Sequence, residues 1–97
     1  MDEKENGNSV RVKQFSIKNT LGIHARPAGL FAQTASKFNA QIVVEKNGVA
    51  VDGKSIMEVM MLGAGQGSSI TIKAKGEDAD LALEALEKLI EDKFGEE

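Results

Sequence analysis

The chain carries a single histidine, and the residues around it give that side chain unusual chemical scope. His24 stands in the run Gly22-Ile23-His24-Ala25-Arg26-Pro27-Ala28, which reads as a turn entering a helix. Gly22 allows backbone geometry closed to other residues. Pro27 suits a first helical turn, where its missing N–H would have had no helical partner anyway. His24 then falls at or beside the N-cap, with the N–H groups of Ala25 and Arg26 unpaired next to it. A helix start with free donors at the positive end of its dipole favours an anion. The same dipole disfavours imidazolium, so a neutral, nucleophilic ring is expected. Arg26 adds a planar fork suited to phosphate oxygens. Together these groups have the chemistry to accept, hold and release a phosphoryl group. The plainer reading, a polar cap beside a surface charge, stands next to it, and for a lone histidine the plainer reading is the commoner one.

A second stretch, Ser55-Ile56-Met57-Glu58, has the form of a capping box opening a short helix that ends by Gly63. Residue types alone make Ser55 a helix cap. Gly63-Ala64-Gly65-Gln66-Gly67 has the glycine content of a phosphate-cradling loop, but it follows a helix and precedes a strand, and no Walker lysine follows. It reads as a helix stop and turn, and no ATP chemistry is expected.

Composition removes other classes. Cysteine is absent, which excludes disulfides, thiolate metal sites and cysteine nucleophiles. One histidine without cysteine makes no ordinary transition-metal site, so we expect no metal and no cofactor. The net charge of −3 argues against non-specific nucleic-acid binding. A small RNA-binding domain would want stacking aromatics on its strands, and only Phe15 lies on a predicted strand. No apolar run approaches the ~20 residues that span a bilayer, and the acidic N-terminus is unlike a signal peptide. A cytoplasmic protein without membrane insertion is expected.

The elements that must position His24 can be read from periodicity. Residues 1–9 are polar and charged and read as a flexible tail; 95–97 read as a short frayed end, leaving 10–94 as one domain. Residues 10–17 read as a strand whose apolar phase slips between Val10/Val12 and Phe15/Ile17, so a bulge or early start is expected. Ala28, Phe31, Ala32, Ala35 and Phe38 recur at helical spacing over 25–38. Ala40, Ile42 and Val44 alternate as a second strand, Asn47-Gly48 signals a hairpin, and 49–51 returns as a third. Ile70, Ile72 and Ala74 alternate in a fourth strand. Residues 78–94 form the clearest helix, with Ala82, Ala85, Leu86, Leu89 and Ile90 on one face and carboxylates opposite. The order βαββαβα implies an α+β, open-faced two-layer sandwich: a four-stranded antiparallel sheet with helices on one face. Charge is split along the chain. Residues 10–54 hold seven basic and two acidic side chains, while 76–97 hold two basic and nine acidic. The half containing His24 is therefore positive in sequence and suits an acidic partner or a phosphate.

The histidine segment resembles the active-site signature of the HPr family, the histidine-containing phosphocarriers of the bacterial phosphotransferase system. Lys54-Ser55-Ile56-Met57-Glu58-Val59-Met60 is similar to that family's second signature, around a regulatory serine, and the resemblance runs over 10–94. It implies an HPr-like fold and a carrier with a covalent phosphohistidine rather than a stand-alone enzyme. His24 would accept phosphate on Nδ1 from phospho-enzyme I, derived from phosphoenolpyruvate, and pass it to IIA domains for sugar uptake. Arg26 and the N–H groups near Ala25 would steady the phosphoryl oxygens, and Pro27 would shape the helix start. Ser55 would be the target of an HPr serine kinase/phosphorylase, where one exists. Arg26, Lys54, Ile56, Met57 and Met60 would meet partners, methionine suiting a surface that must fit several. A monomer is expected.

Two features depart from the sugar-transport pattern. Leu21 stands where many members carry a polar residue, and Met60-Met61-Leu62-Gly63 resembles the nitrogen-related NPr branch, in which the carrier feeds regulation. Pro27, in contrast, is typical of the sugar branch. The third alternative is a regulatory binding module acting through Ser55, as in Crh-type proteins; it is weakened by the presence of His24.

Overall fold

A computed structural model describes residues 10–96; the expected flexible tail at 1–9 and Glu97 lie outside the described residues. The elements are β1 (Val10–Ser16), α1 (Ala25–Ala35), β2 (Gln41–Lys46), β3 (Val49–Asp52), α2 (Ile56–Met61), β4 (Ser69–Lys75) and α3 (Ala79–Glu91), followed by a 3-10 turn at Lys93–Gly95. The strands pair antiparallel in the order β1-β4-β2-β3. Strict alternation decides which sheet face is covered. Ile70, Ile72 and Ala74 of β4 and Ile42 and Val44 of β2 are buried, against Phe31 of α1, Val59 of α2 and Leu86 and Ile90 of α3 in one core. Thr71, Lys73 and Val43, on the other parity, are less buried. This is the open-faced α+β sandwich that the element order implies.

The bulge expected in β1 is absent: its pairing with β4 runs one to one from Val10↔Lys75 to Ser16↔Ser69. The apolar residues simply occupy both faces. Phe15 is buried while Val10 and Val12 are exposed on the opposite parity. On the parity of Phe15, Arg11 and Lys13 reach α3 instead of the core, pairing with Asp80 at 2.8 Å and Glu87 at 2.9 Å. Lys18 pairs with Glu91 at 2.8 Å just beyond the strand. An edge strand can trade apolar contacts for such pairs because its helix neighbour lies at the rim of the core.

The hairpin follows its sequence signal: Asn47 (φ 52°) and Gly48 (φ 84°) are both left-handed, as a type I′ turn requires. The last helix does not. It stops at Glu91 instead of running to Phe94, and Lys93 (φ 56°) and Phe94 (φ 55°) adopt left-handed backbone. Each such non-glycine residue costs roughly 1–2 kcal/mol. Burial of the Phe94 ring, 1% exposed, offsets that cost with about 1.5–3 kcal/mol. The reversal turns the chain back toward the start of α1.

Candidate phosphoryl-acceptor site

Local sequence fixes the backbone before His24. Gly22 takes φ +68°, and a Cβ there would stand 2.5 Å from the Ala64 carbonyl oxygen and 2.7 Å from Gly65 Cα. Glycine alone therefore lets the two loops touch. The contact brings the Ile23 N–H to the Ala64 oxygen at 2.8 Å and buries the Ile23 side chain. His24 follows as the N-cap of α1 with extended backbone, φ −93° and ψ −164°. Its carbonyl accepts from the Ala28 N–H at 2.9 Å, and Pro27 is buried in the first turn. The N–H groups of Ala25 and Arg26 meet no acceptor among the described residues.

The imidazole is 39% exposed. Its Nε2 lies 2.9 Å from Glu96 Oε2, whereas Nδ1 has no hydrogen-bond partner among the described residues. Arg26 donates through Nε to the same Glu96 oxygen at 3.1 Å and through Nη2 to the Phe94 carbonyl. Its guanidinium thus faces the C-terminal turn, and Nη1 is not engaged within the described residues.

Two members of this cluster are invisible to local sequence reading. Asn19, fully buried, donates through Nδ2 to the Gly22 carbonyl at 2.7 Å and to Glu96 Oε1 at 2.9 Å; its Oδ1 is buried without a partner. An asparagine three residues before a glycine is a turn signal, and that is the cue that could have found it. Glu96 has no cue, because nothing near it in sequence points seventy-two positions back. Residues 95–97 read as a frayed end, yet Gly95 donates to the Asp92 carbonyl at 3.0 Å and Glu96 binds Asn19, His24 and Arg26. The Asn19 hydrogen bond first, then those of His24 and Arg26, hold the Glu96 carboxyl below its ordinary value against opposing desolvation.

The serine segment lies across the groove from the helix start. Ser55 caps α2, its hydroxyl accepting from the Glu58 N–H at 3.2 Å. The reciprocal half of the box is displaced: Glu58 Oε1 accepts from the Asp52 N–H at 3.0 Å rather than from the cap residue. Lys54 Nζ donates to the Phe38 carbonyl at 2.8 Å, closing the end of the α1 segment. An open groove brings Lys54 and Ile56 together with Ala25, Arg26 and Gly29. Ile56, Met57, Met60, Met61 and Leu21 are exposed. Among the described residues no group of three or more His, Cys, Asp or Glu side chains is placed to hold a metal, and no helix is long and apolar enough to cross a membrane.

A half-exposed imidazole beside open backbone N–H groups, on a βαββαβα sandwich, is the arrangement that a histidine phosphocarrier requires. The family profile "PTS HPr component phosphorylation site" matches residues 12–92. The phosphocarrier protein HPr of Treponema pallidum is 43% identical over 86 residues, 89% of this chain and 98% of that protein. The solved HPr-C-His of Thermoanaerobacter tengcongensis superposes with a TM-score of 0.86 at 53% identity, covering 90% of this chain and 98% of that one. An HPr structure from the same organism, described as a dimer, superposes at 0.72 with 55% identity over 84% of this chain and 94% of that one. The chain belongs to the HPr phosphocarrier family of the phosphotransferase system.

Proposed function

We propose that His24 is the phosphoryl acceptor, charged by phospho-enzyme I and discharged to IIA domains. The observation that carries this reading is the unpartnered Nδ1 of a half-exposed imidazole beside the open N–H groups of Ala25 and Arg26. The donor's bond to phosphorus breaks with its electron pair leaving on the donor, while the Nδ1 lone pair forms the new N–P bond. Ala25 and Arg26 hold the phosphoryl oxygens through backbone N–H groups and the free edge of the guanidinium, and Pro27 keeps that helix start rigid. Arg26, Lys54, Ile56, Met57 and Met60 form the docking surface, which the shared groove and the exposure of the apolar members support. Ser55 is the regulatory site of a serine kinase, since its hydroxyl stands at the rim of that surface. The working unit is 10–94 with Glu96 added, acting in the cytoplasm as a monomer. Sugar uptake is the favoured duty because Pro27, typical of the sugar branch, occupies the first turn of α1; the Met60-Met61-Leu62-Gly63 run is the feature that favours the nitrogen-regulatory branch.

Phosphohistidine is acid-labile and base-stable, which gives a direct test. Incubation with enzyme I and phosphoenolpyruvate yields one acid-labile phosphate per chain, and His24→Ala abolishes it without loss of the fold. Full labelling of a folded His24→Ala protein would falsify the assignment.

A further inference from the structure

Among the described residues, the carboxylate of Glu96 is the one charged group within hydrogen-bond reach of the His24 ring, at its Nε2 edge. We propose that Glu96 is a positioning residue for phosphoryl transfer, holding the proton on Nε2 so that Nδ1 presents its lone pair, and balancing the positive ring of the phosphorylated state. The inference rests on His24 being the acceptor.

Geometry carries the argument. A carboxylate oxygen 2.9 Å from Nε2 accepts only if that nitrogen bears the proton, and a neutral imidazole has one N–H. The remaining lone pair then lies on Nδ1, which has no partner among the described residues. The nitrogen that a hydrogen bond occupies thus fixes the nitrogen that reacts. Transfer conserves every proton: the donor–phosphorus bond breaks toward the donor, the N–P bond forms at Nδ1, and the Nε2 proton stays in place. The ring passes from neutral to cationic, and the Nε2–H bond to Glu96 becomes an ion pair as the charge appears.

The carboxylate is built to stay put. Asn19, fully buried, grips Oε1 while His24 and Arg26 share Oε2. The Glu96 side chain is only 17% exposed, against 39% for His24, so solvent screens the pair from one side. The hydrogen bonds from Asn19, His24 and Arg26 lower the carboxyl's pKa and so favour its ionised form. Glu96 approaches the ring from Nε2, across the imidazole from the phosphoryl position, so its charge stabilises the ring more than it repels the incoming group.

Because the chain has one histidine, its ring nitrogens report alone in a nitrogen-15 spectrum of the full chain. In wild type the ring shows a protected Nε2–H. Glu96→Ala loses that protection, whereas Glu96→Gln keeps it, its side-chain carbonyl accepting without charge. Glu96→Gln shifts the phosphoryl equilibrium with enzyme I away from His24 by about three- to tenfold, the margin between charge-assisted and neutral hydrogen bonds, and Glu96→Ala shifts it the same way by at least as much. A merely structural role would leave the Nε2–H signal alike in the three folded proteins. Unchanged Nε2–H protection in Glu96→Ala, or an equilibrium that is unchanged or moves toward His24, overturns the proposal. Absence of acid-labile phosphate from wild type would instead overturn the acceptor assignment, so the two failures are distinct.

Discussion

Replacing Gly22 by alanine should damage the site and the fold together, and by a predictable amount. The new Cβ would stand 2.5 Å from the Ala64 oxygen and 2.7 Å from Gly65 Cα. Both are backbone atoms that cannot rotate away. A φ of +68° costs an alanine roughly 1–2 kcal/mol. Separation of the loops would also lengthen the 2.8 Å Ile23–Ala64 bond, worth about 1 kcal/mol. The sum is roughly 2–3 kcal/mol, or a fall of roughly 8–24 °C in Tm for a domain of this size. Two controls separate the causes. Gly67, at φ +85° with open space around its Cβ direction, carries strain without collision and should lose about 1–2 kcal/mol on alanine substitution. Gly65 carries neither and should change by less than about 1 kcal/mol. Urea unfolding of the three variants gives the order directly. Gly22→Ala no more destabilising than Gly67→Ala would refute the claim that loop contact holds the helix start. Transfer from enzyme I, measured where Gly22→Ala is still folded, should also slow, because His24 follows two residues later.

The other expected outcomes follow from single features. Gly29 sits within α1 with nothing near its Cβ direction, so Gly29→Ala should stabilise by about 0.5–1 kcal/mol while slowing transfer, since the added methyl enters the docking groove; faster transfer would contradict that surface. Ser55→Asp should slow transfer at low salt with a gap that narrows as salt rises, and equal rates at low salt would leave Ser55 a helix cap alone. Glu96 titrates in the folded chain below its ordinary value of 4.5. Its contribution to stability is therefore present above 4.5 and lost as pH falls through the lowered value; a carbon-13 titration of the carboxyl with a midpoint at or above 4.5 would contradict the cluster. Met57→Ala should weaken docking by about 1–2 kcal/mol independently of salt, measured by partner affinity at two ionic strengths.

The parts legible in the sequence are those set by local repetition. Alternation in β4, the Asn47-Gly48 turn and the 3.6-residue face of α3 each specify themselves within a few residues. The start of α1 was legible for the same reason, because Gly22 permits the left-handed turn before His24 and Pro27 fixes φ after it. What escaped was set by packing at a distance. The slip of apolar phase in β1 looks like a bulge until α3 supplies acidic partners for Arg11 and Lys13 across the sheet edge. The end of α3 looks helical until the core claims the Phe94 ring and forces two left-handed residues. Glu96 enters the site only because of that reversal, and Asn19 acquires its second role only once Glu96 arrives.

Charge shows the same limit, and it bears on how partners are held. Much of the basic excess of 10–54 is paired with acidic side chains of the same chain. Arg11, Lys13 and Lys18 pair with α3 and Arg26 with Glu96, so four of the seven basic groups are ion-paired within the chain, while Lys54 donates to a carbonyl and keeps its charge. Exposed ion pairs contribute about 0.2–1 kcal/mol each and lend little attraction to a partner while they last. Ile56, Met57, Met60 and Met61 are 39–76% exposed, so each releases roughly 0.6–2 kcal/mol when fully covered. Apolar contact therefore outweighs charge in holding a partner, and charge acts chiefly on approach. A flexible thioether surface fits both a donor and several acceptors of phosphate, which a carrier visiting each in turn requires. A single phosphate at Ser55 can slow those visits without dismantling the surface, because it changes the approach and leaves the apolar contacts as they were.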